Sequence, residues 1–249
     1  MAWSQSDIIF PAHAVAHAGP MPAGAERLSV DTADGETLVG TLIPAADRGA
    51  NRTLVLGFGG NAWNGQDVAE YLHGLYPGAD VAAFHYRGYR PSTGRPSADD
   101  LIADAPLVYD AAVKKVRPKQ IVAVGFSIGT GVAATLAGKR PLAGLILVTP
   151  FDSLKAAAQS MYPWLPIGPF FQHEIDAAGA MAGVKVPTAI IAAEHDEIIA
   201  PSRTEALRPK VPNLVFDRTI ANAGHNDIYQ RSAFQQAMHE ALEQILASK

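Results

Sequence analysis

Short, wholly apolar runs that alternate with longer helical stretches constrain this chain more than any other feature. Leu54-Val55-Leu56 and Leu145-Ile146-Leu147-Val148 lack the polar alternation of a half-exposed strand, and such runs suit strands covered on both faces of a parallel sheet. Candidate strands are Glu26–Asp31, Thr37–Ile43, Arg52–Phe58, Asp80–His85, Gln120–Val124, Ala143–Thr149, Pro187–Ala192 and Asn213–Thr219. The turn signal Ala33-Asp34-Gly35 makes the first two an antiparallel hairpin. From the third strand onward helices intervene, at Gly65–Leu75, Ala98–Val116, Ser127–Gly138, Pro201–Leu207 and Arg231–Ala247. Strand–helix alternation of this kind predicts an α/β fold, a mostly parallel sheet with helices on both faces. Pro106 falls inside the second helix, where a proline kinks the helix or shifts its start.

Composition narrows the classes further. The chain has 249 residues, 48% of them hydrophobic, and a formal net charge of −4. That length suits one α/β domain, and the apolar content excludes disorder. A faintly acidic chain lacks the basic footprint of a nucleic-acid binder. With no cysteine, disulfides, thiolate metal sites and a cysteine nucleophile are excluded. The first basic residue is Arg27, so a secretory n-region is not expected. Gln120 to Gly138 carries no charge, but its four glycines and its hydroxyl residues dilute a spanning signal. The expectation is a soluble, cytoplasmic protein. Residues 1–25 read as an irregular surface arm, and 152–183 as an insertion with an apolar, proline-stiffened centre.

One segment carries a chemical signature. Gly125-Phe126-Ser127-Ile128-Gly129 fits G-x-S-x-G between a candidate strand and a candidate helix. At such a turn the neighbours of the serine must be small, and its hydroxyl stands at the C-terminal edge of the sheet. The helix starting there aims free N–H groups and its positive dipole end at the same place. Gly129-Thr130-Gly131-Val132-Ala133-Ala134 also fits G-x-G-x-x-A, with Asp152 roughly 20 residues on, as in a dinucleotide site. That fingerprint begins directly at a strand end, whereas Gly129 already lies in the helix, where small residues serve close packing.

A serine nucleophile needs a base, and the base needs an acid that fixes its tautomer. At this kind of elbow the chain order is serine, acid, histidine. Asp196, in the turn Glu194-His195-Asp196-Glu197, is the expected acid, with Glu194 in reserve. A solvated turn carboxylate is the plain alternative for each. His225, in a small-residue turn after the last strand, is the expected base. His13, His17, His73, His85, His173, His195 and His239 lack that order and place, and read as surface or structural residues. The N–H groups of Ile128 and of Asn61, in the loop Gly57-Phe58-Gly59-Gly60-Asn61-Ala62-Trp63, are the expected oxyanion donors. Trp63, Tyr162 and Trp164 are candidate pocket residues. Arg87 and Arg90 read as side chains that tie loops by hydrogen bonds rather than bind a substrate carboxylate. His195, Asp196, Glu197 and His225 could be assembled into a metal site, but their spacing is not that of zinc ligands.

Together these motifs resemble the α/β-hydrolase superfamily, and within it the serine hydrolases called α/β-hydrolase-domain proteins. Gly59-Gly60-Asn61-Ala62 stands where that group has His-Gly-Asn-Ala, with Gly59 in place of the histidine. Tyr86-Arg87-Gly88-Tyr89, the acid turn Asp196-Glu197-Ile198-Ile199-Ala200-Pro201 and the histidine turn Gly224-His225-Asn226-Asp227 are similar to segments of the group. The resemblance runs from about Arg27 to the C-terminus. It implies an eight-stranded, mostly parallel sheet, a hydrolase domain over 26–249, and a small helical cap at about 152–183 over an acyl pocket. It implies ester hydrolysis through an acyl-enzyme, with thioester, amide or peptide cleavage open to the same machinery. No metal or organic cofactor is implied, and the partner is a small-molecule acyl substrate. A non-catalytic binding or interaction protein on the same fold is the competing reading.

Overall fold

The computed structural model describes residues 5–47, 52–163 and 171–248. Its strands are β1 (Glu26–Asp31), β2 (Thr37–Ile43), β3 (Thr53–Phe58), β4 (Asp80–Phe84), β5 (Gln120–Phe126), β6 (Gly144–Val148), β7 (Thr188–Ala193) and β8 (Leu214–Ile220). Its helices are α1 (Gln5–Ile9), α2 (Gly65–Leu75), α3 (Ala98–Val116), α4 (Ile128–Ala137), α5 (Leu154–Met161), α6 (Ala177–Met181), α7 (Pro201–Leu207) and α8 (Ser232–Ala247). The sheet has eight strands in the order β1-β2-β4-β3-β5-β6-β7-β8. β2 runs antiparallel to both β1 and β4, while β3–β4, β6–β7 and β7–β8 are parallel. The chain divides into two compact units, Met1–Ala123 and Val124–Lys249.

In the first unit the hairpin pairs Glu26 with Leu42 through Asp31 with Thr37, as the Asp-Gly turn requires. Every residue of β3 and β4 is buried, which accounts for their unbroken apolar runs. α2 starts where Asn64 Oδ1 accepts the Asp67 N–H at 2.9 Å, and it buries Val68, Leu72 and Leu75 along one face. α3 starts at the Ser97 cap and runs through Pro106 to Val116, so the proline does not move its start. Residues 1–25 are not wholly irregular. They hold α1 and a short 3-10 turn at Ala12–Ala14, and bury Phe10 to 1% exposure.

In the second unit α8 lays Phe234, Ala237, Met238, Ala241 and Ile245 against β6, β7 and β8. α4 is buried over most of its length and packs on β6 and α6. Among its described residues, the expected insertion at 152–183 holds two short helices, each started by a side-chain cap, Ser153 for α5 and Asp176 for α6. Its two ends are clamped: Ser153 bridges Asp176, Leu154 N–H donates to Ile175 O at 3.1 Å, and Ala178 N–H to Asp152 O at 2.9 Å.

Candidate active site

β5 ends at Phe126 and α4 begins at Ile128, so Ser127 alone makes the turn between them. It does so at φ 51°, ψ −118°, a conformation outside the regions a side chain ordinarily adopts, with strain on the order of 1–3 kcal/mol. Three hydrogen bonds hold it there. Ser127 N–H donates to Val148 O at 2.9 Å, while Thr130 N–H and Thr130 Oγ1 donate to Ser127 O at 2.9 and 2.6 Å. A Cβ at Gly125 would lie 2.6 Å from Thr130 Cα and against Gly129 O, so the turn closes only over glycine. A Cβ at Gly131 would strike Ile175 and stand 3.1 Å from Phe151 Cζ. This G-x-G segment therefore serves helix packing, which removes the dinucleotide reading.

His225 sits in the turn that follows β8. Its backbone N–H donates to Glu197 Oε2 at 3.0 Å, and Gly224 N–H donates to Asp227 Oδ1 at 2.8 Å. Arg231 Nη2 donates to Asn222 O at 2.9 Å and also bonds Asp227, whose carboxyl it holds below the usual carboxylate range. Asp196 lies in the turn after β7. Its Oδ1 accepts the N–H groups of Ile198 at 3.0 Å and Ile199 at 2.6 Å.

These turns bring three side chains into one line. His225 Nδ1 is 2.9 and 2.8 Å from the two oxygens of Asp196, and His225 Nε2 is 3.0 Å from Ser127 Oγ. All three residues are buried, Ser127 to 9%, Asp196 to 8% and His225 to 6% exposure. A carboxylate only accepts, so Nδ1 carries the ring proton and Nε2 offers its lone pair to the serine hydroxyl. That arrangement lets the imidazole take the proton of an attacking oxygen. Glu194, the reserve acid, is directed elsewhere: its Oε2 accepts Asn222 N–H at 2.7 Å. His195 points to solvent with 67% of its side chain exposed. Among the described residues no three metal-ligating side chains gather. Glu197, weighed in the sequence only as a metal ligand and as part of the acid turn, instead fixes the His225 backbone.

The other expected residues fall as follows. The N–H of Ile128, at the first turn of α4, meets no acceptor among the described residues. Neither does that of Asn61, in the first unit, whose loop is held through its carbonyls: Tyr86 Oη donates to Gly59 O at 2.9 Å and Tyr89 Oη to Asn61 O. A Cβ at Gly59 would lie 2.9 Å from Val68 Cγ2, so glycine there seats the loop on α2. Trp63 packs against Tyr71 with ring centroids 5.4 Å apart. Tyr162 ends α5, where its N–H donates to Ala158 O; Trp164 lies outside the described residues. Arg87 does tie loops. Its Nε and Nη2 donate to Asp104 at 2.9 and 2.8 Å, and Nη1 donates to Asp34. Arg90 does not: no described residue accepts a hydrogen bond from its guanidinium, which corrects the expectation for it.

Comparison with known proteins agrees with the fold that carries this site. The family model for the alpha/beta hydrolase fold matches residues 54–180. The chain is 33% identical over 237 residues to the uncharacterized Mycobacterium tuberculosis protein Rv2307c, covering 90% of this chain and 82% of that one. It is 27% identical over 188 residues to the alpha/beta hydrolase domain-containing protein aho-3 of Caenorhabditis elegans, covering 74% of this chain and 55% of that one. Among solved structures, an alpha-beta hydrolase from Vibrio vulnificus superposes with a TM-score of 0.75 at 18% identity over 99% of this chain and 95% of that one. The Pyrococcus furiosus esterase PF2001 gives 0.72 at 19% identity, again over 99% and 95%. No described helix is long and apolar enough to cross a membrane. A serine on a forced strand-to-helix turn, a matching family model and relatives along nearly the whole chain lead to one assignment: the protein belongs to the α/β-hydrolase family.

Proposed function

We propose that the protein is a serine hydrolase that cleaves carboxylic esters of small-to-medium acyl groups through an acyl-enzyme. The observation that carries this reading is the unbroken hydrogen-bonded line from Asp196 through His225 to Ser127. Ser127 Oγ attacks the acyl carbonyl carbon while its proton passes to His225 Nε2. Asp196 keeps the ring oriented and stabilises the imidazolium that forms. The imidazolium then gives its proton to the departing alkoxide, which leaves as an alcohol. Water, deprotonated by the same nitrogen, attacks the acyl-enzyme; the bond to Ser127 Oγ breaks, His225 returns the proton to that oxygen, and the carboxylic acid leaves.

The negative oxygen of each tetrahedral intermediate is assigned to the N–H groups of Ile128 and Asn61. Both amides lack an internal acceptor among the described residues, which favours this role. The insertion at about 152–183 is assigned as a cap of the hydrolase domain at 26–249, with Trp63, Tyr162 and Trp164 as pocket residues. An esterase is among the similar folds. The test is covalent labelling with a fluorophosphonate followed by peptide mapping. Label on Ser127, absent in Ser127→Ala, is the expected result; label at another serine, or none, would overturn the assignment.

A further inference from the structure

The first unit holds a basic hollow that ester hydrolysis leaves unused. The N-terminal arm forms its wall, and that wall is fastened. Phe10 is buried, Asn64 Nδ2 donates to Ala16 O at 3.2 Å, and Gln66 Nε2 donates to Gly19 O at 3.1 Å and Pro20 O at 3.2 Å. Two clefts lie along the arm, of about 360 Å³ and about 340 Å³, and both are lined by His17 and Arg90. Arg27 and His85 line the second. No aspartate or glutamate lines either one, in a chain whose net charge is −4.

The arginines of the hollow differ from others in the molecule. Arg52, Arg87, Arg203, Arg208, Arg218 and Arg231 each meet a carboxylate. The guanidinium groups of Arg27 and Arg90 have no such partner among the described residues. The second cleft is also lined by a buried donor. His85 is 3% exposed, and its Nδ1 accepts the Gly65 N–H at 3.3 Å, so the neutral ring carries its proton on Nε2. Burial first, and then the Arg27 charge, push the His85 pKa down to about 4, which keeps the ring neutral and this tautomer in place. Isolated surface arginines are ordinary, but two that line one acid-free cleft together with a buried histidine offer donors suited to an anion. Guanidinium groups bind carboxylate and phosphate oxygens in pairs, with a geometry that suits both.

We propose that this hollow binds a small organic oxyanion, a carboxylate or a phosphate monoester, between Arg27 and Arg90, with His85 Nε2 and His17 as further hydrogen-bonding groups. The site is separate from ester hydrolysis and does not depend on it. Clefts of this size match those that hold small ligands.

Titration calorimetry on the full chain tests this with phenyl phosphate, benzoate and, as the uncharged control, benzyl alcohol. The expected result is saturable binding of at least one anion and none of the alcohol. Arg27→Gln and Arg90→Gln, both on exposed side chains, each weaken it about tenfold or more, and exposed Arg95→Gln leaves it unchanged. Binding of phenyl phosphate alone identifies a phosphate ester as the ligand class, and binding of benzoate alone a carboxylate. The proposal is overturned if neither anion saturates, if the two variants bind like wild type, or if Arg95→Gln loses as much.

Discussion

At the scale of single residues, the site rests on which group each hydrogen bond satisfies. The Asp196 carboxylate accepts two backbone N–H groups and the imidazole, leaving the ring one orientation and one tautomer. Asp196→Asn would turn an N–H toward Nδ1, place the ring proton on Nε2 and deprive Ser127 of its acceptor. Its kcat on an ester should fall on the order of 10⁴-fold with an unchanged circular dichroism spectrum. Glu194→Gln, which alters only a carboxylate that bonds Asn222 N–H, should stay within several-fold of wild type. A large loss in Glu194→Gln with Asp196→Asn close to wild type would exchange the roles. Ser127 and His225 were legible in the sequence because each is tied to a strand end in a fixed chain order. Asp196 and Glu194 stand two positions apart on one turn, so the sequence could only rank Asp196 first; the hydrogen bonds to His225 and to Asn222 separate them. Glu197 was not legible, because its partner is a backbone N–H delivered by a turn far along the chain.

At the scale of elements, the elbow and the Arg87 cluster show how local packing sets the chemistry and the stability. Gly125→Ala should destabilise by about 1–3 kcal/mol, since the added methyl must displace the first turn of α4. Ester turnover should fall with it, because that turn fixes Ser127; a variant as stable and active as wild type would contradict the packing argument. Arg87 joins Asp34, Asp100 and Asp104, and burial lifts the Asp104 carboxyl while the guanidinium draws it back down. Arg87→Met leaves that carboxylate buried without its partner and should cost about 3–5 kcal/mol in urea unfolding. Hydrogen bonds from Arg87 and then Thr32 hold the Asp34 carboxyl at about 2, below its ordinary 3.8. A lowered folded-state value stabilises above the ordinary one and is lost as pH falls through about 2, so Asp34→Asn should unfold with a shallower acid dependence in that range. Its side chain is 59% exposed, which keeps the effect small. Most element positions were legible because caps and apolar spacing mark them; α2, α3 and α7 have the expected bounds. The two residues added to β5 were not, since Gly125 reads as a strand end while the ladder carries on to Phe126.

At the scale of the whole molecule, stability against acid depends on a histidine the serine chemistry does not use. His85 stays neutral in the fold down to about 4, whereas an unfolded chain protonates it through about 6.5. Between those values the unfolded state binds more protons, so stability should decline as pH falls from about 6.5 to about 4. Urea midpoints measured across that range should show the decline, and His85→Asn should reduce it; identical slopes would contradict the assignment. The arm and its hollow were not legible in a segment of Ala, His, Pro and Gly, because what orders it is two side chains of α2 and its cap. The central claim concerns Ser127, and one measurement reaches it most directly: hydrolysis of p-nitrophenyl esters from acetate to palmitate by wild type and by Ser127→Ala. The expected result is turnover that peaks at short-to-medium chains and falls on the order of 10⁴-fold or more in the variant. Turnover that survives in Ser127→Ala, or its absence on every ester in the wild type, would contradict the account.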